Sequence, residues 1–176
     1  MQKLHTLLAW LLLLVLAVHL SAGLITLLTP LFIEQRLFAR ILLGLACLHG
    51  VLALWKTVRH KSLRGLLSYG RLNRVFWLRI GSGLAVLALA FVHRLLWVMD
   101  TPFGALLLDF EWPSLLVQLL FCGALSVHLV LNIKPLLMDS GLQTAGRTER
   151  LCKVAAGLLL LLAALAAVAY FLGVSL

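Results

Sequence analysis

Acidic side chains are scarce in this sequence. Six Asp and Glu stand against fifteen Lys and Arg, and none of the six falls inside the long apolar runs. Proton relays at membrane depth usually recruit a carboxylate, so these runs lack the usual means for one. Charge of either sign is thin, at 12% of residues. Apolar residues make up 63%, with a mean hydropathy of +1.10, where soluble domains average about 45–50%. That excess is too large to hide in a water-soluble core of 176 residues, so the chain reads as a membrane protein. No polar stretch is long enough for a soluble domain. The net charge of +9 therefore points to basic residues flanking membrane spans, not to nucleic acid. The three cysteines, Cys47, Cys122 and Cys152, form no CxxC pair. This leaves no iron–sulfur or zinc motif, and each reads as a small buried hydrophobe. Nothing resembles a nucleotide fold or a flavin site.

What is present is five apolar stretches, each near the length of about 20 residues that a span requires. They cover 5–28, 37–56, 76–99, 114–137 and 152–175, and predict an all-α membrane bundle forming a single domain over 1–176. The first is longer than a signal-peptide core and no A-x-A cleavage motif closes it, so it reads as a retained span. The second holds Arg40 near one end, where the side chain snorkels to the interface. Trp10, Trp55, Trp77, Trp97 and Trp112 lie mostly near span ends, as interfacial anchors do. Charge sets the orientation. One side collects Lys3, Lys56, Arg59, Lys61, Arg64, Arg71, Arg74, Arg79, Lys134, Arg147, Arg150 and Lys153, and the other only Arg36, Arg40 and Arg94. Twelve against three places the N-terminus in the cytoplasm and the C-terminus outside.

Each of the first four spans carries a histidine, His19, His49, His93 and His128, and the fifth carries none. His5 lies at the first membrane edge and His60 in the basic loop. An ionisable side chain inside a membrane is costly and marks function by default. Counting about 1.5 Å per residue from each span centre, His19 and His93 lie about 2–7 Å toward the outside. By the same count His49 and His128 lie about 4 Å toward the cytoplasm. Depth alone sorts them into an outer pair, His19 with His93, and an inner pair, His49 with His128. Each pair draws on two spans of the same direction, which in an up-down bundle are diagonal neighbours. Two imidazoles facing across a bundle core suit a haem iron, and bis-His ligation favours electron transfer over oxygen chemistry. Zinc would want further ligands. Gly23, Gly44, Gly50, Gly81 and Gly83 near these histidines serve equally for close cofactor approach or for helix packing.

The third and fourth spans read "FWLRIGSGLAVLALAFVHRLLWVMDTP" and "EWPSLLVQLLFCGALSVHLV". With histidines in the first four spans and none in the fifth, the chain resembles the diheme cytochrome b membrane anchor of succinate dehydrogenases and fumarate reductases. The resemblance covers nearly the whole chain, by motif in the third and fourth spans and by layout in the first two. It implies two haem b groups, with His19 and His93 ligating the distal one and His49 and His128 the proximal one. It implies quinone, menaquinol by preference, oxidised near the distal haem, with Glu34 of "LFIEQR" as proton acceptor. It also implies an iron–sulfur subunit and a flavoprotein on the cytoplasmic face, a bacterial inner membrane, and a dimer of complexes. Some members carry a second glutamate two residues before the fourth histidine, where this chain has Ser126. Among the basic residues, Arg79 and Arg94 are the candidates for holding haem propionates. The loop over 56–79 offers a basic dock for the partner. The rival readings are a cytochrome b of another respiratory complex, of hydrogenase or formate dehydrogenase type, and a haem-free membrane scaffold or transporter.

Overall fold

The computed structural model describes residues 2–29, 35–60, 74–101, 104–107, 111–142 and 146–173. Five helices carry the architecture: α1 (Gln2–Leu28), α2 (Arg36–His60), α3 (Arg74–Trp97), α4 (Trp112–Asp139) and α5 (Gly146–Phe171). All five are long and apolar enough to cross a membrane, where a helix satisfies its backbone polar groups within itself. The fold is an all-α bundle.

Each helix starts before the apolar stretch that predicts it, while α3 and α5 end short of theirs, at Trp97 and Phe171 instead of 99 and 175. α5 starts at Gly146, six residues before the apolar run, because Lys153 and Glu149 join across one turn at 2.6 Å and support the polar first turn. α4 starts at Trp112, with Glu111 at the N-cap and Pro113 in the first turn, where a missing N–H costs nothing. α3 stops at Trp97. Beyond it the connection forms a short antiparallel hairpin, β1 (Val98–Thr101) with β2 (Gly104–Leu107), in register Val98 to Leu107 and Thr101 to Gly104.

The tightest packing runs α3 to α4 and then α4 to α5. α1 packs on α2 and α5, and α2 on α3. Neither α1 with α3 nor α2 with α4 is among the closely packed pairs. The first four helices thus form a square whose diagonals are α1–α3 and α2–α4, with α5 against the α1–α4 edge. The buried apolar side chains lie almost all on α4 and α5: Leu115, Cys122, Leu125, Ile133 and Leu137 of α4 and Leu160, Ala163, Ala166 and Ala167 of α5, Ala167 completely at 0% exposure. Small side chains let two backbones approach closely, which is how helices associate where lipid removes the hydrophobic drive. In α2 and α3 no described residue is buried, and in α1 only Thr6 and Leu8 are.

Candidate functional site

All four span histidines are half-buried. His93 of α3 interacts electrostatically with His19 of α1, and His49 of α2 with His128 of α4. The helices thereby bring together two imidazole groups, one on each diagonal of the square.

The inner pair is built around His128. Arg79, Ser82 and Gly83 occupy one face of α3, at the spacing of a helical turn, and meet α4. Ser82 Oγ donates to the Arg79 carbonyl at 3.1 Å, and the same oxygen lies 3.2 Å from His128 Nδ1. Asn132 Nδ2 stands 3.5 Å from the same nitrogen, and the Arg79 carbonyl is close by. These contacts gather at Nδ1 and leave Nε2 as the nitrogen for a ligand. Asn132 Nδ2 donates to the His128 carbonyl at 2.7 Å. Gly83 makes room for the ring: a Cβ at that position would stand 3.1 Å from His128 Cε1. On the opposite side of the pair, His49 Nδ1 is buried with no hydrogen-bond partner.

The outer pair has different company. His93 lies against the Phe121 ring, centroids 5.6 Å apart, and beside the buried Gln118 side chain, which donates weakly to Cys122 Sγ at 3.7 Å. His19 Nδ1 is buried with no hydrogen-bond partner.

Arg79 has a structural task. Pro135 lies inside α4 and lacks the N–H that would bond the carbonyl of Leu131 four residues earlier. Arg79 Nε supplies the missing donor, at 3.1 Å from Leu131 O. Arg94 lies next to His93 but turns toward α2, where it lines a groove of about 370 Å³ with Arg40, Leu43, Gly44, Cys47, Phe91 and Leu95. Ser126 bonds back to its own helix, Oγ donating to Cys122 O at 2.8 Å. Glu34 lies outside the described residues, as does most of the basic loop.

His5 is the residue that hydropathy passed over. Its ring stacks on that of His49, with centroids 4.4 Å apart and planes 27° from parallel. The signal was in the spacing. His5 and His19 are fourteen residues apart, close to four turns, so they share a face of α1 about 21 Å apart along the axis. One face of one helix therefore carries a histidine at each level of the bundle. Among the described residues no three histidine, cysteine or carboxylate side chains converge as a bare metal ion would require.

A b-type haem is nevertheless a fit for the residues present. Each level offers two imidazoles from non-adjacent helices, buried ring nitrogens that lack partners at His19 and His49, and at His128 a hydroxyl contact on Nδ1 beside a glycine cradle. Comparison of the chain with protein-family models, curated proteins and solved structures gives no match.

Proposed function

We propose that this chain is the membrane cytochrome b subunit of a respiratory oxidoreductase. It would exchange electrons between membrane quinol or quinone and the iron–sulfur and flavoprotein subunits of a fumarate reductase or succinate dehydrogenase. The observation that carries the reading is the pair of imidazole groups, one on each diagonal of a four-helix square. Haem b held by His19 with His93 and by His49 with His128 would supply one-electron transfer.

The chain's own residues hold and tune those positions. His19 and His93 serve the outer level and His49 and His128 the inner. Ser82 meets His128 at Nδ1, and bonding to a ligand's second nitrogen sets its orientation and basicity. Phe121 and the surrounding apolar side chains keep water from His93. Glu34 takes the proton released by quinol. The cytoplasmic face is the one where the basic loop gathers, and the iron–sulfur partner docks there. Arg94 is placed to meet an anionic group in the α2–α3 groove.

The test is a dithionite-reduced minus oxidised spectrum of the purified chain, with haem counted as the pyridine haemochrome. Two b haems per chain are the expected result. A folded, membrane-inserted protein with none overturns the reading and leaves a scaffold or transporter.

A further inference from the structure

A third imidazole at the inner level has no part in the two-pair scheme. We propose that His5 is a reserve axial ligand of the inner site, able to take the iron position of His49 when that side chain is lost or displaced. The inference rests on the haem reading above.

Four observations lead to it. The His5 ring already lies against the His49 ring, stacked at 4.4 Å, so the space vacated by His49 is space that His5 borders. His5 Nε2 is buried with no hydrogen-bond partner, and a buried polar nitrogen without one is costly unless it has a use. The two sides of the inner pair differ in how firmly they are held. His128 is tied through Nδ1 to Ser82, whereas His49 Nδ1 has no such partner, so the His49 side is the exchangeable one. Finally, the segment carrying His5 is the best-anchored part of α1. Thr6 and Leu8 are its two buried residues, and Trp10 Nε1 donates to Ser140 Oγ at the end of α4 at 2.8 Å. The three imidazoles do not converge on one point, so His5 and His49 serve as alternatives and not as simultaneous ligands. The outer level offers no equivalent among the described residues.

The exchange is testable in the purified full-length protein by haem count and by low-temperature electron paramagnetic resonance, which separates low-spin bis-His iron from high-spin iron. His49→Ala should keep two haems per chain, both low-spin, with the inner signal shifted. His5→Ala/His49→Ala should lose that signal or turn it high-spin. An inner site lost to the same extent in His49→Ala as in the double variant overturns the proposal. A second measurement guards against misfolding. In His49→Gly, added imidazole must compete with His5, so its apparent affinity should be about tenfold or more weaker than in His5→Ala/His49→Gly, as for any tethered competitor. Equal affinity, or no low-spin inner signal in either variant while the outer signal persists, also overturns it. A wild-type chain without haem would instead defeat the proposed function, so the two failures are distinct.

Discussion

The outer and inner histidine pairs sit in one bundle but are held by different chemistry. His93 lies against an aromatic ring and beside a buried amide. His128 is embedded in a chain of polar contacts running from the Arg79 carbonyl through Ser82 to its Nδ1, with Asn132 on its own carbonyl and Gly83 under its ring. The difference follows from the side chains that line one seam. α3 and α4 are the closest pair in the structure, and at the inner level short polar side chains reach across to His128. At the outer level the same seam sets Phe121 and Gln118 of α4 against His93. A site held by apolar contact tolerates polar substitution poorly, while one held by hydrogen bonds loses orientation first. The polarity around a bound group and the hydrogen bonds to its ligands are also what tune a redox potential.

The largest break in the comparison comes from the proposed ligands themselves. His93→Ala should lower the haem count from two to about one per chain and remove the outer signal, because no third imidazole stands at that level among the described residues. His128→Ala should do the same to the inner signal, since His5 lies on the His49 side and cannot replace it. Pyridine haemochrome counts of the two variants give the check.

Next in size is Gly83→Leu. Even a methyl group at this position would stand 3.1 Å from the His128 ring, and a larger side chain must push the imidazole off its position. Overpacking of this kind costs about 1–3 kcal/mol. The inner signal should broaden or vanish while the outer one stays, which a spectrum of the reduced protein resolves.

Arg79→Ala acts on the bundle and not on one level. It strips the Leu131 carbonyl of the donor that replaces the N–H missing at Pro135. Leaving a buried carbonyl unsatisfied costs about 1–3 kcal/mol, read as lower unfolding stability in detergent. Pro135→Ala in the same background should recover most of the loss, because the helix then supplies its own N–H. A stability loss unmoved by that second substitution would argue that Arg79 serves another group.

The helical bundle was written plainly in the sequence, since apolar runs as long as 5–28 or 152–175 have few other uses. Its edges were not. Hydropathy stops where apolar residues stop, whereas α5 continues to Gly146 on a single ion pair. The segment "GALLL" carries too short a pattern to announce the hairpin of β1 and β2. The four span histidines and their grouping by level could be read from depth alone. The partners of those histidines could not, because Ser82 meets His128 only once α3 and α4 have packed, across forty-six positions of chain. The same holds for Arg79, whose basic side chain reads as a topology marker or a propionate ligand until Pro135 is seen opposite. His5 was hidden by a different cause: a histidine near the end of an apolar run looks like an interface residue, and only the stacking on His49 shows otherwise.

The smallest effect sharpens the comparison most. Ser82→Ala removes the hydroxyl that meets His128 Nδ1 but leaves the ring's packing against Gly83 intact. The loss of one such bond is worth about 0.5–1.5 kcal/mol. Gln118→Leu makes the corresponding change beside His93. Ser82 acts at the level of His128, ten residues along α4 from Gln118, or about 15 Å. Substitutions that far apart, with no shared partner, add to within about 0.3–0.5 kcal/mol. Ser82→Ala should therefore move only the inner midpoint in a redox titration, Gln118→Leu only the outer, and the double variant should move both by the sum of the single effects. A shift of the outer midpoint by Ser82→Ala alone would show that the two levels are coupled through α4, and that the contrast between them is one of degree.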